Sequence, residues 1–529
     1  MKKLILISAM LMLLASSCQK EEKERLAQLQ EELAALEQGA APSVPGSGDP
    51  VQAPEGEYAF SFDKEFYGVD AGSSATIEYT LPEASTVEIV VKDGWTATVS
   101  ENGATGTITV TAADPAHPTE LLATATSAAG RRTATVLPIL VRDPYTSSTR
   151  PRLEALGYYC FKPWNATLEN YQKLADAGLT MVTLETDEGD WKSYIDIAAQ
   201  AGLKTLAVVG NQGEYWYHHM EDTAFEEVVG YLKDCPSVYG YHMCDEPSVD
   251  EIWRLMAEKD RIRSIDPVRP VYINLLANAS SGSLGVNSYP EYVSIMADYM
   301  NFEFISFDIY PILVGAIQTD WHYCLRTVSD VARKHGIPFW AFAASCWINL
   351  ETITTLKREK PTANNILLQV YTNLAYGAQG VEYFTIQDYG GTNYAPIMRD
   401  GTWTQAYEEL KAANLTMQKR AFVFSGSEVT KIRQTGPLAP NESPLSKTDL
   451  PPEISSMEVT FGTTVSFLEN KGNAYIAVVN NYWTADQVVK IEVNSPVYLI
   501  DKDARFQLLE PGAQSLWLSM GDMLVLKYK

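Results

Sequence analysis

Asp245 and Glu246 stand side by side at the end of an apolar run, Val238-Tyr239-Gly240-Tyr241-His242-Met243-Cys244, and Pro247 follows them. The run reads as a buried strand with acids at its carboxyl tip, and the proline ends it without disturbing the ladder behind. A carboxyl among aromatic and apolar groups keeps its proton to higher pH, because burial penalises the charged form, and such an acid can donate a proton near neutrality. A second carboxyl nearby would complete acid-base cleavage of an acetal. About 5 to 5.5 Å between the two suits a retaining route, and about 6.5 to 9.5 Å an inverting one.

Strand alternation predicts which side chains share that space. In the strand carrying the acids, Tyr239, Tyr241 and Met243 suit the helix-facing side, which leaves Gly240, His242, Cys244 and Glu246 inward and makes Asp245 an orienting or helix-capping neighbour. Near residue 307, Ile305, Phe307 and Ile309 form the apolar outer set and turn Ser306, Asp308 and Tyr310 inward. The same logic pairs Thr183 with Glu185, and Tyr272 with Asn274. Candidate catalytic residues are therefore Glu246, Asp308, Asp245, Tyr310 and Glu185. Aromatics expected in loops, Trp164, Trp191, Tyr215, Trp216, Tyr217, Trp321, Trp347, Tyr389 and Tyr394, could stack on the apolar faces of sugar rings. Trp164, Trp216, His242, Asn274, Trp347, Gln387 and Asp388 are the expected substrate contacts.

Parallel strands present their reacting groups at their carboxyl ends. Eight candidate strands alternate with amphipathic helices: Leu156 to Phe161, Thr180 to Glu185, Lys204 to Gly210, Tyr239 to Asp245, Pro270 to Leu276, Phe304 to Tyr310, Pro338 to Ala344 and Gly380 to Gln387. Eight such units within residues 150–423 predict a (β/α)8 TIM barrel rather than an open doubly wound sheet, since no glycine-rich phosphate loop follows the first strand. The chain is multidomain. Period-two runs over 57–145 predict an immunoglobulin-like β-sandwich before the barrel, and those over 424–529 a C-terminal all-β sandwich.

Residues 155–423 resemble the (β/α)8 glycoside hydrolases of clan A, including the β-galactosidase-like family 42 and related endo-glucanases. The resemblance is carried by Asp245-Glu246-Pro247, by Phe307-Asp308-Ile309-Tyr310-Pro311, and by Leu374-Ala375-Tyr376-Gly377-Ala378-Gln379-Gly380 leading into strand eight. It implies hydrolysis of a β-linked glycan with Glu246 as acid/base. It supplies no nucleophile, because the clan's strand-seven glutamate falls where this chain reads Trp340-Ala341-Phe342-Ala343-Ala344-Ser345-Cys346-Trp347. Three readings stay open. The second carboxylate comes from Asp308, Glu185, Asp388 or Glu351; or Asp245-Glu246 resembles the pair of substrate-assisted hexosaminidases, with Tyr310 holding the acetamido oxygen; or the barrel is an inactive glycan-binding protein.

The N-terminus predicts an address. Met1-Lys2-Lys3, the apolar stretch Leu4 to Leu14 and Ala15-Ser16-Ser17 read as a secretory signal over 1–17, too short to span a bilayer. Cys18 follows in a pattern that resembles a bacterial lipobox, so residues 18–56 are expected to hold a lipidated cysteine, a short helix and a linker, in a surface-exposed outer-membrane lipoprotein. Leu26, Leu29, Leu33 and Leu36 give residues 24–38 a coiled-coil spacing too short to be stable alone, a spacer capable of weak self-association. A net charge of −25 argues against nucleic acid as a partner. Cys160, Cys235, Cys244, Cys324 and Cys346 form no disulfide framework, no His/Cys spacing predicts a metal, and no cofactor is expected.

Overall fold

The computed structural model describes residues 58–62, 67–70, 74–91, 95–112, 119–142, 152–186, 189–208, 222–348, 357–388 and 394–529. The expected signal, Cys18, the 24–38 helix, Tyr215 to Tyr217, Glu351 and Tyr389 lie outside these.

Eight parallel strands close into a barrel in chain order. They are β1 (Glu154–Gly157), β2 (Met181–Glu185), β3 (Lys204–Val208), β4 (Val238–Asp245), β5 (Val271–Leu275), β6 (Ile305–Phe307), β7 (Phe339–Ala344) and β8 (Gly380–Phe384). A helix follows each: α1 (Leu168–Asp176), α2 (Trp191–Gln200), α3 (Asp222–Lys233), α4 (Ile252–Ile265), α5 (Tyr289–Met300), α6 (Trp321–His335), α7 (Ala363–Ala375) and α8 (Gln405–Lys419). The (β/α)8 expectation is thus met strand for strand, β1 lying earlier in the chain than predicted.

Period-two patterning explains why the barrel closes. One set of strand residues, among them Val182, Leu184, Ile273, Ile305, Phe307 and Val381, joins the core shared with the helices. The alternate set, Leu156, Tyr158, Met181, Leu206, Tyr272, Phe304, Trp340 and Phe342, forms a separate core inside the barrel. Trp340 stacks on Phe304 with ring centroids 4.3 Å apart and on Tyr239 at 5.7 Å, so three aromatic rings plug the lumen. Gly380 faces that indole. A Cβ there would lie 2.5 Å from Trp340 Cδ2, so the plug requires a residue without one.

Two all-β regions flank the barrel. Before it, two four-stranded sheets enclose Ile77, Ile108, Val110, Leu121 and Ile139. After it, a six-stranded and a three-stranded sheet enclose Val465, Ile476, Val478, Val489 and Leu526. Every residue of α7 from Asn365 to Ala375 is buried, as expected of a helix covered on all sides. Arg420, just past α8, is buried too, and it donates to the carbonyls of Asp501 and Met523 while pairing with Asp522, which ties the barrel to the last domain. Among the described residues no helix is long and apolar enough to cross a membrane.

Candidate active site

β4 departs from regular pairing twice, and both departures move side chains. Thr205 pairs with Val238 and the next residue, Leu206, with Gly240, so Tyr239 is an extra residue; His242 pairs with Tyr272 and Cys244 with Ile273, so Met243 is another. An extra residue reverses which face its successors occupy. Three expectations are corrected in consequence. Tyr239 is not helix-facing but belongs to the lumen plug. Cys244 is not a lumen residue; it sits with Met243 in the helix-side core. Asp245 is neither outward nor a helix cap: it lies opposite Asn274, whose Nδ2 donates to Asp245 Oδ1 at 2.9 Å. The turn ahead of α4 is closed instead by Ser248, whose amide donates to Glu251 at 3.2 Å.

Asp245, Glu246 and Asp308 therefore meet at the carboxyl end of the barrel. Glu246 holds a backbone φ of 49°, in the left-handed region that costs a non-glycine residue about 1 kcal/mol or more. Its amide is anchored on the Asn274 carbonyl at 2.8 Å, while its side chain reaches solvent. Asp308, 8% exposed, comes off the end of β6. Burial and then the charge of the adjacent Glu246 push the Asp308 carboxyl well above the usual carboxylate range. Burial, then the charge of Asp245, raises Glu246 as well. Burial and the charge of Asp308 push Asp245 up to about 7 against the opposing hydrogen bond from Asn274. Three carboxyls compete for protons here, and burial raises all three.

Other expected residues fall around this cluster. Tyr310 abuts it, with burial and then Asp308 raising its phenol, and its carbonyl accepts Arg358 Nε at 3.2 Å. Asn274 is its amide hub. His242 lies deeper, fully buried, its Nε2 2.9 Å from the Tyr158 hydroxyl and its ring 4.7 Å from Tyr272; burial holds it well below the usual histidine pKa, so it is neutral. Glu185 is ion-paired with Lys162, which places a counter-charge on that candidate. Gln387 is occupied as a brace, its Oε1 accepting Asn165 Nδ2 at 2.9 Å and the Lys162 amide at 3.3 Å. Asp388 is buried beside it, its amide bonded to Ile397. Trp164 is 61% exposed on the turn after β1, with Nε1 on the Arg399 carbonyl, and offers a free ring face. Trp347 is half-buried, with Nε1 on the Arg358 carbonyl. Trp191 and Trp321 are corrected: each opens a helix, Trp321 is 1% exposed, and Trp191 packs edge-on against Tyr231.

Sequence reasoning missed Glu382. On β8 it points inward and is wholly buried. Tyr272 donates to its Oε2 at 2.5 Å and Ser306 to its Oε1 at 2.5 Å, and burial pushes its carboxyl up to about 8. Val381 and Tyr383 are the apolar outer set of that strand, so the alternation that found Asp308 also finds Glu382. Arg358, whose buried Nη1 has no hydrogen-bond partner, arrives from the long segment between β7 and α7 and had no local signal. Among the described residues no group of three His, Cys, Asp or Glu side chains is placed to hold a metal ion.

No family model matches the chain, and no curated protein matches it. Solved structures do. A candidate alpha-galactosidase from Bacteroides fragilis is 12% identical at a TM-score of 0.40, covering 93% of this chain and 99% of its own. The Bacteroides ovatus GH5 xyloglucanase is 11% identical at 0.31, covering 67% and 98%. A beta-galactosidase from Halorubrum lacusprofundi is 14% identical at 0.36, covering 52% and 59%. At such values, what this chain does is read from its own residues.

Proposed function

We propose that this chain is a glycoside hydrolase acting on a β-linked glycan, with Glu246 as the general acid/base. The observation that carries the reading is the convergence of Asp245, Glu246 and Asp308 at the carboxyl mouth of a closed barrel, each held above the ordinary carboxylate range. A glycosidic oxygen needs a proton before it can leave, and an acid that stays protonated toward neutral pH supplies it. Glu246 is the most exposed of the three, and so the one best placed to meet a ligand. Trp164 offers a ring for stacking, and Tyr310 and Asn274 offer polar contacts. We further propose that the enzyme works at the cell surface, tethered through a lipid on Cys18.

The second carboxyl role divides two routes. Asp308 adjoins Glu246 at the mouth, and a direct role for it requires the two carboxyls to hold a sugar between them at one of the two-carboxylate separations. Asp245 favours the substrate-assisted alternative: it faces the lumen beside Glu246, oriented by Asn274, as an acid that steers an acetamido group would be. A thiazoline mimic of the oxazoline intermediate separates the two. Strong competitive inhibition supports the substrate-assisted route, and none supports the two-carboxylate route. Glu246 itself is tested by leaving group. E246Q should lose far more turnover on a sugar leaving group than on an aryl glycoside with an acidic phenol, and equal losses on both would remove the acid role from Glu246.

A further inference from the structure

Below the mouth, Glu382 is a carboxyl that neither hydrolytic route uses. Its hydrogen bonds reach Asp245 through a chain with a proton count that can be closed. Ser306 Oγ lies 2.5 Å from Glu382 Oε1, 3.0 Å from the Tyr272 hydroxyl and 3.2 Å from Asn274 Oδ1. The orientation of Asn274 is set by the ionised Asp245: Nδ2 donates to Asp245 Oδ1 at 2.9 Å, so Oδ1 faces Ser306 as an acceptor. Tyr272 spends its proton on Glu382 Oε2 at 2.5 Å.

Serine has one proton to give. With Glu382 ionised, Ser306 donates to Oε1 and Asn274 Oδ1 receives nothing from it. With Glu382 protonated on Oε1, that proton is donated to Ser306 Oγ, and the serine proton turns to Asn274 Oδ1. An amide whose oxygen accepts a hydrogen bond is a stronger donor through its nitrogen, because successive bonds polarise one another. Asn274 then holds the Asp245 carboxylate more tightly.

We propose that Glu382 is a positioning residue whose proton, passed on as hydrogen-bond direction through Ser306 and Asn274, sets the ionisation of Asp245. The titratable groups facing Glu382 are Tyr272 from β5, Asp308 at the end of β6, and Tyr239 and Asp245 from β4, none of them a cation. Burial with the charges of Asp308 and Asp245 favours its protonated form, which is the form the relay needs at neutral pH. The consequence for turnover rests on the hydrolase reading, whereas the coupling itself does not.

The test is an infrared titration of the whole protein without substrate. One component of the protonated-carboxyl carbonyl absorption at neutral pH should be missing from E382Q; if that variant fails to fold, the component that shifts with 13C-glutamate and persists in E246Q makes the same assignment, because Asp308 is not labelled and Glu246 is removed. D245N should lower the midpoint of this component by about one pH unit. In the S306A background the D245N shift should fall by half or more, because a relay needs the serine and a through-space charge effect does not. An equal shift in both backgrounds, or no component assigned to Glu382 at neutral pH, overturns the proposal. Coupling without turnover on any glycan defeats the hydrolase reading alone, and turnover without coupling defeats the relay alone.

Discussion

Replacing Asp245 by asparagine should stabilise the fold, and more so as pH rises. Asp245 stands at about 7 in the native protein against an ordinary value of 3.8, a rise of about 3 units. At about 1.36 kcal/mol per unit, the full native-state penalty for ionising it is about 4 kcal/mol. The sign follows from proton counting. Between about pH 4 and 7 the native chain holds a proton that the unfolded chain has released, so stability contributed by this group falls as pH rises and levels off above 7. D245N has no such ionisation, and its amide oxygen can still accept from Asn274 Nδ2. The stability difference between D245N and wild type should therefore widen by about 2 kcal/mol between pH 5.5 and pH 8, the fraction of the penalty that develops in that window. Urea unfolding of both proteins at the two pH values reads it directly. Parallel stabilities would refute the account, as would D245N being the less stable at pH 8, since each would mean that Asp245 is not a strained acid.

The same substitution should also move the alkaline limb of the kcat/KM profile to lower pH. The charge of Asp245 helps hold the proton on Glu246, so without it that acid is lost sooner; a limb that stays put would separate the two residues. Replacing Trp340 by alanine should cost about 3 to 5 kcal/mol in urea unfolding, because the indole is 3% exposed and stacked on both Phe304 and Tyr239. A loss below about 1 kcal/mol would mean that the lumen is filled some other way.

The eight strands were legible because a buried parallel strand flanked by amphipathic helices has a pattern that tertiary context seldom overrides. Ser306, Asp308 and Tyr310, and likewise Tyr272 and Asn274, fell on the expected face because β5 and β6 pair without interruption. β4 was misread for a physical reason: extra residues at Tyr239 and Met243 shift the pairing, and nothing in the composition of Val238 to Asp245 announces a bulge. The outcome favoured the chemistry, since it brought Asp245 inward beside Glu246. Glu382 was within reach of the alternation argument, because its strand is regular and its two apolar neighbours face outward. Contacts made across long stretches of chain were not legible. The ion pair of Lys162 with Glu185 and the approach of Arg358 to Tyr310 depend on where loops return, and local spacing does not encode that. Trp321 was misplaced because an aromatic that opens a helix looks in sequence like one that ends a loop.

The most direct measurement is release of reducing ends from a panel of β-linked polysaccharides and oligosaccharides by wild type and E246Q, with binding to the same glycans followed on an affinity gel. Wild type should hydrolyse at least one of them. E246Q should turn that glycan over about 100 to 10,000 times more slowly while retaining it on the gel, the loss expected when a general acid is removed and the binding surface is left in place. Equal hydrolysis by both proteins, or glycan retention with no hydrolysis by wild type, would contradict the assignment of the mouth carboxyls to catalysis.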